Sequence, residues 1–416
     1  MQQTVEVRRP LGFLARVRAL LGLDASGVGQ SLVALFLNSS TSFAAGAFLG
    51  SITDTLSRLP GLLVLVPAAI GLRGNIFGSF GNRISTAIHS GTFRLSARRD
   101  TVLGQNVLAV GILTLAISLG LALVAKAVAV GFGIADTISL VEMATISITG
   151  GVLASVVVLA ATIGVTAGSV RYGWDLDNLA APIVSVMGDV LTLPALWIAT
   201  YFVGVRIFTP AFGGVLIAVG IGALVVGVRV HLDELRRIVR ESLPVLLIAG
   251  SVSAMAGIAL EKRFASFAAF PALLILVTPQ LSSAGALGGI LSGRLSTKLF
   301  LGLAEPTSMP GRAARADMAF VATLGLPVFL FNAVGAHFVG RALNQASPGL
   351  PDMLGIAMLG GALSLVFVIV VAYYGTVVAY RTGLDPDTYG IPVVSSSLDF
   401  VGAIALILAI AVLGVA

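Results

Sequence analysis

Two aspartates stand deep inside apolar segments that are otherwise typical of membrane helices. The stretch DLDNLAAPIVSVMGD ends at Asp189, and the stretch DPDTYGIPVVSSSLD ends at Asp399. At 1.5 Å per residue, Asp189 lies about 16 Å beyond a helix start at Asn178, which is half of a hydrocarbon core about 30 Å thick. Asp399 lies at a similar depth in its own segment. A carboxylate at this depth is costly and usually faces a polar pathway.

Two such carboxylates that face each other disfavour joint ionisation unless a cation neutralises them. Small hard cations such as Mg²⁺ accept one or two carboxylates and keep several waters. Asp189 and Asp399 therefore predict a divalent cation site at mid-depth. The alternative is a structural aspartate that is bonded to a neighbouring Ser, Thr or backbone carbonyl, and the matching of the two positions argues against it.

Four more acidic residues stand at the starts of the same two helices. They are Asp175, Asp177, Asp385 and Asp387. They predict either an acidic vestibule that concentrates metal cations or ordinary helix N-caps. Both interpretations are open at this stage.

The composition places the chain in a membrane. Of 416 residues, 57% are hydrophobic and 11% are charged, and the mean hydropathy is +1.03, whereas soluble domains carry about 25% charged residues. The absence of Cys excludes disulfides, thiolate metal sites and Cys catalysis. The three His residues are far apart, which argues against a zinc site built on clustered His. The net charge of +6 does not indicate nucleic-acid binding, because the basic residues stand in short loops beside the apolar segments.

Eleven segments are long and apolar enough to be predicted as membrane spans. They run near 28–52, 60–82, 101–130, 138–170, 178–205, 210–229, 243–261, 266–291, 316–340, 353–380 and 389–414.

The basic residues orient these spans. With the N-terminus in the cytoplasm, eighteen of the 25 Lys and Arg residues fall on the cytoplasmic side, six fall outside, and Arg73 alone stands within a span. This is the bias that positive-inside insertion produces. We therefore expect an integral protein of the plasma membrane with a cytoplasmic N-terminus, and a basic amphipathic tail over residues 1–27.

Two motifs recur in the same order. At an offset of 210 residues, the two aspartate stretches match in Arg, Gly, Asp, Pro and Ser positions as well as in the final Asp. At an offset of 211, GNIFGSFGNRISTAIHSG (74–91) matches GALGGILSGRLSTKLFLG (285–302). Matching charges indicate a duplication, because chance similarity of apolar sequence would not preserve them.

The duplication predicts an all-α polytopic membrane protein of 5 + 1 + 5 helices. Repeat 1 spans residues 28–205 and repeat 2 spans 242–416, while 206–241 supply a connecting membrane helix and a cytoplasmic linker. Five spans are an odd number, so the single connecting helix is needed to give both repeats the same orientation. Parallel repeats of this kind are related by a pseudo-twofold axis along the membrane normal and are a known transporter plan.

The motif at 74–91 supplies further candidate ligands. Gly74 and Gly78 permit exposed backbone carbonyls, and Asn75 is suited to hydrogen-bond the waters of a hydrated ion. The glycines are equally well explained by close helix packing. The counterpart of Asn75 is Ala286, so the two repeats are not equivalent here.

These stretches resemble the two signatures of the MgtE-type magnesium transporters, and more closely those of their duplicated relatives in solute carrier family 41. The resemblance covers both repeats, from about residue 30 to the end of the chain. It implies Mg²⁺ transport through a pore between two five-helix units, with the family's mid-depth Asp carried over to Asp189 and Asp399. The Gly-Asn motif carries over to Gly74 and Asn75 only.

The expected function is transport of divalent cations, Mg²⁺ first and Mn²⁺ or Co²⁺ as other candidates, by a monomeric pseudo-dimer in lipid without an organic cofactor or a nucleic-acid partner. The alternative is a secondary antiporter that uses the same aspartates as a Na⁺ or proton relay. An enzyme is not expected, because the carboxylates recur by duplication with neither a nucleophile nor a phosphate-binding loop beside them.

Overall fold

Long apolar helices make up most of the chain. The computed structural model describes residues 25–96, 98–172, 176–382 and 391–415, with the backbone alone for 25–27, 89, 169, 172, 176–186, 391 and 393. These described residues contain no β-strand. The helices, in chain order, are α1 (Ala25–Ser51), α2 (Thr53–Arg58), α3 (Leu62–His89), α4 (Val102–Gly131), α5 (Leu140–Tyr172), α6 (Leu176–Thr200), α7 (Phe208–Arg229), α8 (Asp233–Lys262), α9 (Phe264–Ala269), α10 (Pro271–Phe300), α11 (Arg312–Ala342), α12 (Leu350–Thr382) and α13 (Ile391–Val412).

Eleven of these helices are long, and α2 and α9 have six residues each. Ten of the long helices are apolar enough and long enough to cross a membrane. The remaining long helix, α6, has a shorter apolar stretch, Met187–Thr200, within the part that was searched. The prediction of an all-α polytopic membrane protein is confirmed.

Two boundaries differ from the sequence prediction. α8 begins at Asp233 rather than near 243 and so includes residues that the sequence assigns to the linker. Asp233 and Glu234 stand in its first turn, where negative charge favours the N-terminal end of the helix dipole. Of the tail predicted over 1–27, residues 1–24 lie outside the described part of the chain, and the rest belong to α1.

The two repeats share one order of helices. α1–α6 and α8–α13 each contain one long helix, one short helix and four more long helices, with α7 between them. Equivalent helix ends differ by 211 residues: Ser51 and Lys262, Arg58 and Ala269, His89 and Phe300, and Gly131 and Ala342. The predicted arrangement of two five-span repeats around one connecting helix is confirmed.

The first helix of each repeat packs on the other repeat. α1 lies along α10 and α11, and α8 lies along α3 and α4. Each of the two also contacts the last helix of its own repeat, α6 or α13. The matching contacts in both directions fit a pseudo-twofold axis between the repeats, and the exchange joins them into one unit.

Glycines bring the exchanged helices and their partners together at the backbone. A Cβ built on Gly257 of α8 would lie 2.5 Å from the carbonyl oxygen of Val64 in α3, and one on Gly46 of α1 would clash with the equivalent oxygen of Ile275 in α10. Pro279 lacks the N–H that would bond the carbonyl of Ile275 four residues earlier. That carbonyl is therefore free to face the glycine.

We expect Gly257→Ala and Gly46→Ala to lower the free energy of unfolding by about 1–3 kcal/mol each, because the added methyl group has no space against a backbone carbonyl. Thermal unfolding of detergent-solubilised protein measures the effect. Gly111→Ala in α4 is the matched control, since a Cβ there meets nothing within 4 Å. If both Gly46→Ala and Gly257→Ala unfold at the wild-type temperature, the close approach of these glycines to the facing backbone carbonyls is contradicted.

Candidate functional site

A cavity of about 330 Å³ lies where the two repeats meet. The helices α3 and α10 form its long walls, α6 and α13 contribute the aspartates, and α1 and α8 contribute from the exchanged side. Its polar lining residues are Asn38, Asn75, Asp189, Thr278, Ser282, Ser395 and Asp399. The structure thus brings both mid-depth aspartates, together with Gly74 and Asn75, into one cavity.

Asp189 lies close to α3 because its neighbour in the chain, Gly188, has no side chain. The Asp189 side chain is 8% exposed. A Cβ built on Gly188 would lie 3.6 Å from the backbone nitrogen of Gly74, so the absence of a side chain lets α6 approach the Gly-Asn motif. Asp189 and Asn75 therefore border the same space.

Asp399 is positioned by residues from both repeats. Its Oδ2 accepts a hydrogen bond of 2.9 Å from Ser253 Oγ in α8. A Cβ built on Gly71 of α3 would lie 3.5 Å from the same carboxylate oxygen. A larger side chain at this position would therefore occupy space beside the carboxylate. Asp189 lines the same cavity, so the two carboxylates share one environment.

The two aspartates do not have equivalent hydroxyl partners. The pseudo-equivalent of Ser253 is Ser42 in α1, 211 residues earlier. Ser42 is fully buried at 0% exposure, and its Oγ has no hydrogen-bond partner among the described residues. Ser42 therefore does not give Asp189 the hydrogen bond that Ser253 gives Asp399.

The glycines of the motif border open space. A Cβ built on Gly74 or on Gly78 would meet nothing within 4 Å, and both residues line the cavity. Packing against a neighbouring helix therefore does not account for them. They leave the α3 backbone accessible beside Asn75.

Sequence reasoning did not single out Asn38, Ser282 or Ser253. The Asn38 amide donates to Ser282 Oγ at 2.9 Å, which links α1 to α10 at the cavity wall. Ser253 was detectable, because it and Ser42 keep the repeat offset in two apolar helices. Asn38 and Ser282 carry no such signal, since their pseudo-equivalents are Ala249 and Gly71.

The predicted acidic vestibule falls mostly on residues without a described structure. Asp175, Asp385 and Asp387 lie outside the described residues. Asp177 belongs to the first turn of α6, where the backbone alone is described. The vestibule and N-cap interpretations therefore both stay predictions.

Arg73 is the basic residue that the sequence places within a span. Its side chain is 1% exposed, and its Nε has no hydrogen-bond partner among the described residues. The guanidinium lies against Gly151 of α5, where a side chain would collide with it. Arg73 does not line the cavity. Its positive charge therefore lies on the side of α3 that packs against α5, while Gly74 and Asn75 border the cavity.

The cavity offers two carboxylates and several neutral oxygens. Within the described residues, no group of three or more His, Cys, Asp or Glu side chains could hold a metal ion. An ion bound here would take carboxylate, amide and hydroxyl oxygens and keep part of its water shell. This donor set suits a hard divalent cation better than a transition metal that needs nitrogen or sulfur ligands.

Comparisons with known proteins give one consistent answer. The family model of MgtE, described as "Divalent cation transporter", matches residues 66–199 and 277–409, which are the α3–α6 and α10–α13 parts of the two repeats. No solved structure matches the chain.

The curated relatives match over nearly the whole chain. Solute carrier family 41 member 3 of Mus musculus is 24% identical over 420 residues, which cover 96% of this chain and 82% of the relative. Solute carrier family 41 member 2 of Homo sapiens is 24% identical over 430 residues, which cover 95% of this chain and 72% of the relative. On the family match in both repeats, the chain belongs to the MgtE family of divalent cation transporters.

Proposed function

We propose that the protein transports Mg²⁺ across the membrane through the cavity between its two repeats. Asp189 and Asp399 bind the partly hydrated ion, and Asn75 with the open backbone at Gly74 hydrogen-bonds its waters. The observation that carries this proposal is that both aspartates line one cavity, at the contact between duplicated halves. Mn²⁺ and Co²⁺ are further candidate substrates.

The energetics of the cavity support a bound cation. Two carboxylates in an apolar helix bundle carry a desolvation cost and repel each other. Ser253 offsets part of that cost for Asp399 with one hydrogen bond. A divalent ion neutralises both charges at once and is therefore the most direct stabilising ligand.

One chain supplies both halves of the transport unit in this proposal. The exchanged helices α1 and α8 join the repeats, so a second subunit is not needed to complete the cavity, and the protein acts without enzymatic turnover or an organic cofactor. The N-terminus is cytoplasmic, the membrane is the plasma membrane, and Asp175, Asp177, Asp385 and Asp387 attract cations on the cytoplasmic side.

A second candidate function uses the same side chains. Buried paired carboxylates with a hydroxyl partner also suit a carrier that exchanges a cation for Na⁺ or protons. Mg²⁺ flux into liposomes, measured with and without an opposing Na⁺ or proton gradient, separates the two. Flux that follows the Mg²⁺ gradient alone indicates a channel, and flux that requires the second gradient indicates an exchanger.

We expect Asp189→Asn and Asp399→Asn each to reduce Mg²⁺ flux by at least about tenfold, because each removes one of two charges that hold the ion. Purified protein in liposomes with an Mg²⁺-sensitive dye provides the measurement. Elution as folded protein in detergent shows that the loss is not due to misfolding.

Asp352→Asn is the control for the removal of a carboxylate. Asp352 stands exposed in the first turn of α12 and does not line the cavity. The Mg²⁺ flux of the Asp352→Asn variant should equal that of the wild type. Normal conduction by both cavity variants would reject the aspartate site.

Ser253→Ala should weaken Mg²⁺ binding about three- to tenfold. The hydrogen bond from Ser253 helps to hold Asp399 in its position, and its loss should reduce the binding free energy by about 1 kcal/mol. The Mg²⁺-dependent shift of the thermal unfolding midpoint reports the affinity. Ser251→Ala on the same helix is the control, since Ser251 Oγ donates only to the carbonyl of Leu247 in its own helix at 2.7 Å. Equal affinities in the two variants would assign Ser253 no part in the site.

A further inference from the structure

Arg73 is a buried positive charge at the depth of the two aspartates. It stands eleven residues after Leu62, the start of α3, which is a rise of about 16 Å. Its side chain is 1% exposed. A Cβ built on Gly188, the chain neighbour of Asp189, would lie 3.6 Å from the Cβ of Arg73. Arg73 and Asp189 therefore belong to the same contact between α3 and α6.

The guanidinium of Arg73 has no acidic group in contact with it. Its Nε lacks a hydrogen-bond partner among the described residues, and the ion pairs of these residues do not include Arg73. A Cβ built on Gly151 of α5 would collide with both Arg73 Nη2 and Ser118 Oγ of α4. The charge thus lies beside a glycine and a hydroxyl. In such surroundings of low dielectric, a charge acts on other charges well beyond contact distance.

The two aspartates of the cavity are the negative charges nearest in depth to Arg73. α3 contains no acidic residue, and it packs against α4, α5, α6, α8 and α13. Within those helices, only Asp189 and Asp399 border the cavity beside Gly74. The other acidic residues of the same helices stand toward helix ends, and they are Glu142, Asp177, Asp233, Glu234, Glu241 and Glu261. The charge of Arg73 is therefore balanced chiefly by the carboxylates of the cavity.

Repeat 2 has hydrocarbon at the equivalent positions. At the repeat offset, Ala284 stands at the position of Arg73, and Phe329 stands at that of Ser118. Both residues are buried, and a Cβ built on Gly361 of α12 would collide with the ring of Phe329. A methyl group and an aromatic ring thus pack this part of repeat 2. Packing alone therefore does not require a guanidinium in repeat 1.

We propose that Arg73 sets the affinity of the aspartate cavity for its cation, because its fixed charge cancels one of the two carboxylate charges and repels the bound ion. Two ionised carboxylates and one guanidinium sum to a charge of −1, and a divalent ion raises this sum to +1. Without Arg73, the same ion would bring the sum to zero and would be bound more tightly. The guanidinium thereby keeps the site weak enough to release the ion. This inference rests on the proposed cation transport.

Three single variants of the full chain separate the charge of Arg73 from its volume. Arg73→Met removes the charge and keeps a long unbranched side chain, whereas Arg73→Lys keeps the charge. Arg341→Met is the control for loss of a positive charge, because Arg341 stands exposed in the last turn of α11, where solvent screens it. The Mg²⁺-dependent shift of the thermal unfolding midpoint in detergent measures the affinity of each protein for Mg²⁺.

Arg73→Met should tighten Mg²⁺ binding by at least about tenfold, since the repulsion of a divalent ion by a nearby buried charge is lost. Arg73→Lys and Arg341→Met should bind Mg²⁺ as the wild type does. A side chain that only packs α3 against α4 and α5 would instead give unchanged or weaker binding when it is replaced. Unchanged or weaker binding by folded Arg73→Met, or equally tight binding by Arg73→Lys, would overturn the proposal.

A second neutral variant guards against misfolding. Arg73→Ala combined with Ser118→Phe places the residue pair of repeat 2 in repeat 1, and it should show the same gain in Mg²⁺ affinity. If neither neutral variant folds, Asp189→Asn is added to each, because it restores the balance of buried charge. Recovery of folded protein would support Arg73 as the countercharge of Asp189. Continued misfolding would overturn the proposal and assign Arg73 to packing.

Flux in liposomes tests the role of Arg73 in release. Arg73→Met should lower both the Mg²⁺ concentration at half-maximal flux and the maximal flux, each at least about threefold, because a tightly held ion leaves slowly. Maximal flux at the wild-type level despite tighter binding would overturn this role. A wild-type protein that does not bind Mg²⁺ would reject the proposed function together with this inference. Wild-type binding that Arg73→Met leaves unchanged would reject the role of Arg73 alone.

Discussion

The repulsion and desolvation of two carboxylates inside an apolar helix bundle set the main constraint on this structure. Asp189 and Asp399 both line the cavity between the repeats, and the polar groups around them come from helices that are otherwise nearly all hydrocarbon. One hydrogen bond from Ser253 offsets only part of the cost. In the function that we propose, a transported cation and its waters supply the rest of the stabilisation.

The exchange of first helices explains how two halves build a common cavity. If each repeat were a closed five-helix bundle, each aspartate would be surrounded by its own repeat alone. Instead α8 lies along α3 and α1 along α10. Asp399 therefore accepts a hydrogen bond from α8 of its own repeat and lies beside Gly71 of α3 in the other repeat. The glycine contacts at Gly46 and Gly257 make the exchange possible. Backbone contact thereby fixes the position of the charged groups with few polar interactions.

The sequence predicts the fold and the aspartates because both leave local signals. Span length and hydropathy define the helices, and the repeat offset marks Asp189 and Asp399 as a pair. The exchange of α1 and α8 leaves no such signal, since helix pairing across the chain has no periodicity of its own. Asn38 and Ser282 were missed for a related reason: their contact joins residues that have apolar or glycine pseudo-equivalents. The sequence assigns the charged start of α8 to the linker, because hydropathy does not distinguish a helix that extends beyond the membrane from a loop.

Fusion of two repeats in one chain removes the requirement that they remain alike. In a dimer of identical subunits, a change at the position of Asn75 would occur on both sides of the axis. Here Asn75 corresponds to Ala286, and Asn106 corresponds to Asp317. Repeat 1 therefore has amides at two positions where repeat 2 has a methyl group and a carboxylate that binds Arg294 and Lys298. Asp is kept at both mid-depth positions, 189 and 399, as the proposed sharing of one divalent ion requires. The two repeats are thus alike at the proposed ion site and differ at the positions of Asn75 and Asn106.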